Sequence, residues 1–202
     1  MINERIEIWK KEEYHYPAAH GFIPVMFSYI HEDEKKHPAM IIAPGGAYRE
    51  VSPSEAPLPA MEFYGAGYNV FVLEYTINQL DEAPLKMQPL HDISRAIRMI
   101  RSRAEEFHIR PDRIAVCGFS AGAHLCGSLC VHNKDVEDPE EAYQNISNRP
   151  DVVILSYPVI TSGKYAHRDY LGALMNLGIE RHLIGDILID GRYAYIFCME
   201  HI

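Results

Sequence analysis

The chain has 202 residues, 48% of them apolar and 23% charged. That is the composition of one soluble globular domain, and it excludes a wholly disordered chain, a collagen and a coiled coil. Nineteen Lys and Arg against 28 Asp and Glu give a formal charge of −9, which argues against nucleic-acid or membrane binding by the chain as a whole, though not at a small local site.

In chain order, residues 6–9 and 25–29 read as less buried strands, antiparallel to their neighbours. Residues 40–43, 70–73, 114–117 and 152–155 are short runs rich in Val, Ile and Leu, the signature of parallel strands covered on both faces. A helix is predicted over 54–64. Leu90, Ile93, Ile97, Ile100, Ala104 and Phe107 recur at 3-4-3-4-3 spacing and fall on one helical stripe. Arg95, Arg98, Arg101 and Arg103 lie off that stripe and read as a solvated face; Glu105 and Glu106 interrupt any nucleic-acid patch. A third helix is predicted over 121–131. Residues 133–149, polar, acidic and carrying Pro139, read as a surface excursion. Strands alternating with helices predict an α/β fold with a mostly parallel sheet. No apolar run approaches the ~18 residues of a membrane helix, and the start Met1-Ile-Asn-Glu-Arg5 leads into no signal-peptide apolar stretch. The four cysteines, Cys117, Cys126, Cys130 and Cys198, form no CxxC pair. Cys126 and Cys130 share a helix face and read as small apolar packing. Four thiols without a signal point to the reducing cytoplasm.

The motif that carries chemistry is Gly118-x-Ser120-x-Gly122. By itself G-x-S-x-G is weak, but here an apolar strand precedes it and a helix follows, the context the motif needs. Such a serine sits on a sharp strained turn, so its hydroxyl projects from the end of the sheet. The flanking glycines let strand and helix approach closely, and the Ala121 N–H at the helix start can face an oxyanion. Upstream, Pro44-Gly45-Gly46-Ala47-Tyr48 follows the strand at 40–43; its glycines leave backbone N–H groups open to a ligand.

With these segments in place, residues 1 to about 168 resemble the acetyl-xylan-esterase-like branch of small carboxylesterases in the α/β-hydrolase superfamily. The resemblance rests on residues 42–48, 67–75, 113–125 and 149–160, in the family's order and spacing. It implies Ser120 as nucleophile, oxyanion donors at the N–H groups of Ala121 and of Gly46 or Ala47, structural roles for Gly45, Gly118 and Gly122, and a small ester substrate such as an acetylated sugar. No cofactor or metal is implied. Ala47 departs from the branch, which usually has a third glycine there; its N–H remains.

The acid and histidine of a triad do not emerge. The resemblance expects both after two further strands, and only 82 residues follow Ser120. His124 lies one turn along the same helix and reads as local packing. His132 falls in a polar loop, and His167 and His182 precede any further strand. The pair Asp190 and His201 fails on geometry. Asp190-Gly191 reads as a hairpin turn, which puts the two roughly 30 Å apart at ~3.3 Å per extended residue. The expected chain is therefore a hydrolase core over 1–166, catalytically incomplete, with both triad partners unassigned.

Residues 167–202 resemble instead a fragment of the YlmH-type S4-domain RNA-binding proteins, with a seam near Ala166–Asp169. Arg168, Arg181 and Arg192 are the only Lys or Arg in that tail, few for a phosphate footprint, so RNA or ribosome binding through the tail is the rival reading to ester hydrolysis. A helix beginning at Asp169 and a strand over 186–189, parallel to 152–155, would cover the sheet edge.

Overall fold

The computed structural model describes residues 1–80, 82–160, 187–190 and 193–196, the last two segments as backbone strands. Six strands, β1 (Arg5–Glu7), β2 (Val25–Tyr29), β3 (His37–Ala43), β4 (Asn69–Glu74), β5 (Ile109–Phe119) and β6 (Val152–Ser156), form one sheet in the order β1-β2-β4-β3-β5-β6. β3 to β6 run parallel, while β2 pairs antiparallel with both β1 and β4. Helix α1 (Pro57–Gly65) links β3 to β4, α2 (Gln88–Ser102) links β4 to β5, and α3 (Ala121–His132) and the short α4 (Glu141–Gln144) lie between β5 and β6. This is the α/β arrangement expected from the alternation of runs.

Both faces of the sheet are covered, which is why its central strands are apolar throughout rather than alternating. Met40, Ile42, Val70, Val72 and Cys117 pack with Ala60 of α1 on one face. Ile41, Phe71, Leu73 and Val116 pack with Ile93, Ile97 and Ile100 of α2 and Leu125 of α3 on the other. Parallel pairing also positions the site. Ala43 and Gly118 are Cα partners, so the loops leaving the carboxyl ends of β3 and β5 emerge side by side.

β2 is less buried than the runs at 40–43 and 70–73: Val25 and Met26 are buried, while Phe27 and Tyr29 are only partly so. The structure departs from the sequence reading at several other points. β6 is not covered on both faces. It is the edge of the sheet, and Val152, Val153 and Ile154 are 55%, 37% and 37% exposed. α2 stops at Ser102, yet Ala104 and Phe107 beyond it stay buried and extend the stripe.

The arginine face of α2 is the largest correction. Arg95 and Arg98 are buried, not solvated. The excursion at 133–149 folds back over them, and Asp138, itself buried, takes a bidentate pair from Arg95 Nε and Nη2 at 2.7 Å each. The guanidinium also lies 4.2 Å from the ring centre of Trp9 and 4.6 Å from that of Tyr143. Arg98 donates to the Val136, Tyr143 and Gln144 carbonyls. Arg101 donates to the carbonyls of Pro111, Ser147 and Arg149, and Arg103 pairs with Glu106. Helical periodicity identifies the core-facing stripe; it carries no information on which later segment closes over the opposite face.

In the tail, β7 (Ile187–Asp190) and β8 (Tyr193–Ile196) form a separate antiparallel pair. β7 pairs with β8 rather than in parallel with β6, contrary to the expected edge cover. Asp190 is paired with Tyr193, which puts it in the strand rather than in the turn. The expected helix at Asp169 lies outside the described residues.

Candidate active site

β5 ends at Phe119, and Ser120 follows with φ 50° and ψ −113°, a sparsely populated conformation for a residue with a Cβ. The neighbours make this turn possible. A Cβ on Gly118 would lie 2.3 Å from Gly122 O, and one on Gly122 would lie 2.0 Å from Ala43 O. Only glycine at both positions lets α3 start this close to β3 and β5. The turn is held by the Ser120 N–H donating to Ser156 O at 3.0 Å and the His124 N–H donating to Ser120 O at 3.0 Å. Ser120 remains partly exposed.

The loop after β3 faces it. A Cβ on Gly45 would lie 2.9 Å from Ser120 Cβ, so the loop backbone passes directly against the serine. Gly46 has φ 128°, and a Cβ there would meet Glu50 O at 2.1 Å. Ala47 and Tyr48 take φ of 55° and 59°, left-handed values that cost a non-glycine residue about 1 kcal/mol each. Ala47 thus holds a left-handed backbone conformation that glycine adopts at no steric cost. Anchors hold the loop in place: Tyr75 OH donates to Pro44 O at 2.6 Å, and the Tyr48 hydroxyl shares a 2.9 Å hydrogen bond with His124 Nδ1. Among the described residues, the N–H groups of Gly46, Ala47 and Ala121 donate to nothing.

His124 has the packing role expected of it. It is buried, Tyr48 and Ser128 engage its two ring nitrogens, and burial pushes its pKa down to about 3. His132 is the last residue of α3 rather than a loop residue, and pairs with Asp135 at 3.0 Å. His20–Glu82 and His37–Asp33 are further pairs at 2.8 Å, and His37 begins β3, at the opposite end of the parallel strands from Ser120. No described histidine hydrogen-bonds to the Ser120 side chain. His167, His182 and His201 lie outside the described residues, and the described residues contain no cluster of His, Cys, Asp and Glu able to hold a metal. Cys117 and Cys126 are buried, and burial raises both thiols, Cys117 to about 11.

Two residues at the site were not legible in the sequence. Glu55, in a single 3-10 turn before α1, accepts the Gly45 N–H on Oε2 at 2.6 Å and the Tyr157 hydroxyl on Oε1 at 2.8 Å. No local signal links them: Glu55 is ten residues from Gly45 and 102 from Tyr157.

Comparison with known proteins shows the family of the chain. Residues 28–166 match the BD-FAE family, and residues 152–202 match the family described as an RNA-binding domain in YlmH. The chain is 50% identical over 171 residues to endo-1,4-beta-xylanase B of Butyrivibrio fibrisolvens, covering 85% of this chain and 27% of that protein. It is 29% identical over 140 residues to an acetylxylan esterase of Xylanibacter ruminicola, covering 66% and 26%. The chain thus spans about a quarter of the length of these curated relatives. The crystal structure of an acetyl ester-xyloside bifunctional hydrolase from Caldicellulosiruptor lactoaceticus superposes with a TM-score of 0.74 at 32% identity, covering 84% of this chain and 62% of that one. No helix among the described residues is long and apolar enough to cross a membrane. With the family match covering most of the chain and the elbow, the glycine loop and the sheet order all present, the chain belongs to the BD-FAE family of α/β-hydrolases.

Proposed function

We propose that this chain carries the nucleophile half of a carboxylic-ester hydrolase site acting on small acylated substrates such as acetylated sugars. One observation carries the reading: a partly exposed serine in a strained turn at a helix start, facing a glycine loop, with unengaged N–H groups on both sides. Ser120 Oγ attacks the acyl carbon, and the carbonyl oxygen takes up negative charge between the N–H of Ala121 and that of Gly46 or Ala47. The alcohol leaves with a proton as the carbonyl re-forms, and water then cleaves the acyl-serine. Donors already aimed at the developing charge need no reorganisation, and one such donor contributes about 10²–10³ in rate. The acylated-sugar class is supported by the relatives, an acetylxylan esterase and an acetyl ester-xyloside hydrolase.

The general base is what the described residues do not supply. Ser120 then loses its proton to water, and turnover by this chain falls to the residual level, about 10³–10⁴ over the uncatalysed reaction. Hydrolysis of p-nitrophenyl acetate by the chain and by Ser120→Ala tests the reading. Slow turnover is expected, with an acetylated Ser120 seen by mass spectrometry in the wild-type chain and absent from the variant. A wild-type chain that gains no acetyl group at Ser120 refutes it as nucleophile, and rapid turnover abolished by the substitution refutes the missing base.

A second reading is RNA or ribosome binding through the tail, residues 167–202, which lies within a family match over residues 152–202. On this division the hydrolase part is 1–166 and the tail, 167–202, is a separate segment. The expected RNA affinity is weak and not sequence-selective; tight selective binding at physiological salt in a filter-binding assay would reverse the order of the two readings.

A further inference from the structure

Glu55 has a geometry that packing alone does not require. Its two carboxylate oxygens engage the two loops flanking Ser120, and both bonds join polar groups at the mouth of the site. On one side, Oε2 accepts the Gly45 N–H at 2.6 Å, while the Gly45 carbonyl accepts the Ser52 N–H at 2.9 Å. The Gly45 residue is therefore gripped at both ends by the segment 52–55. On the other side, Oε1 accepts the Tyr157 hydroxyl at 2.8 Å. Tyr157 directly follows Ser156, whose carbonyl takes the Ser120 N–H. It holds a left-handed φ of 38° and sets its ring 5.9 Å from that of Phe119, the residue before the serine. The position a Cβ on Gly45 would occupy is 2.8 Å from Glu55 Oε2 and 2.9 Å from Ser120 Cβ, so carboxylate and serine flank the same point.

We propose that Glu55 is the positioning residue of this site, clamping the 45–47 loop and the β6 exit around Ser120 so that the Gly46 and Ala47 N–H groups face the oxyanion. The inference rests on the ester-hydrolase reading above. A carboxylate is suited to the task because charge-assisted bonds to N–H and O–H are short and strong. Taking the Gly45 N–H out of play also fixes which of the successive loop amides stay open. Both carboxylate oxygens are engaged, so Glu55 acts through the loops and not on the substrate.

The test separates geometry from charge. In Glu55→Gln the amide oxygen still accepts the Gly45 N–H, and the amide NH₂ donates to the Tyr157 oxygen. Glu55→Ala removes both bonds. Phenylboronic acid, which adds to a serine hydroxyl and leaves an anionic tetrahedral boron, is titrated against the wild-type chain, both Glu55 variants and Ser120→Ala. Expected results are loss of binding in Ser120→Ala, about tenfold or greater weakening in Glu55→Ala, and binding as tight as the wild type or tighter in Glu55→Gln. In parallel, amide exchange by NMR is expected to show the Gly45 proton protected in the wild type and Glu55→Gln and exposed in Glu55→Ala. If boronate binds Glu55→Ala like the wild type while Ser120→Ala loses it, the clamp is overturned and the nucleophile stands. If the Gly45 amide exchanges equally in Glu55→Ala and the wild type, the clamp is overturned whatever the boronate does. If the wild type binds no boronate, or Ser120→Ala binds it equally, the hydrolase reading fails and the positioning role with it.

Discussion

Two glycines of α3 predict opposite outcomes for the same substitution. In Gly122→Ala the new methyl would sit 2.0 Å from Ala43 O and 2.5 Å from Pro44 O. These are backbone atoms at the end of a buried strand and cannot rotate away, so α3 must move by more than an ångström. That movement disturbs Ala121, Leu125 and Cys126, which pack in the core. Overpacking of this kind costs about 1–3 kcal/mol, or more where nothing yields, and the site is in the first helical turn, where alanine's helical advantage is small. A net loss of about 3 kcal/mol is expected. In Gly127→Ala the methyl meets only Leu155 Cδ1 at 3.6 Å, an ordinary contact, and the helix interior gains about 0.5–1 kcal/mol. Urea unfolding at an unchanged m-value of about 2 kcal/mol/M reads these as a midpoint about 1.5 M lower and up to about 0.5 M higher, respectively. Equal midpoints for the two variants, or a destabilised Gly127→Ala beside a neutral Gly122→Ala, would refute the steric account of the elbow.

His124 is buried neutral with its pKa near 3, while the unfolded chain protonates it near 6.5, so its contribution to stability is present above about pH 6.5 and lost as pH falls from there toward 3, by up to about 1.4 kcal/mol per pH unit. Between pH 6.5 and 5, urea midpoints of His124→Gln should therefore fall less steeply than those of the wild type; parallel slopes would count against it. Arg95→Met strands the buried Asp138 carboxylate and should cost about 3–5 kcal/mol, with Arg95→Met/Asp138→Leu recovering part of it in thermal melts; a double variant worse than the single would contradict the pairing. The exposed apolar edge of β6 should make the chain self-associate, and Val153→Lys should reduce this; light scattering that shows no difference would argue that the edge is covered in solution.

What the sequence determined was whatever rests on short-range physics. Runs of Val, Ile and Leu at 40–43, 70–73 and 114–117 could be strands covered on both faces because an apolar residue at every position has no solvated side to turn to. The elbow was legible for the same reason: Gly118, Ser120 and Gly122 lie within one turn of chain, and the clash a Cβ would make there follows from how closely a helix must leave a strand. The tertiary structure alone decided the matters that join distant segments. Arg95 is charged and off the apolar stripe, so local pattern places it in water; only the return of residues 136–143, which brings Asp138 and the Tyr143 ring, and the approach of Trp9 bury it. Residues 152–155 have the composition of a central strand, but strand order, not composition, made them an edge. Glu55 sits in an unremarkable Pro-Ser-Glu turn, and its bonds to Gly45 and Tyr157 exist because β3, β5 and β6 are parallel neighbours whose carboxyl-end loops share one rim. Side-chain type and periodicity report a residue's own turn or strand; which groups meet across the end of a sheet is fixed by strand order and register, which arise from the chain as a whole.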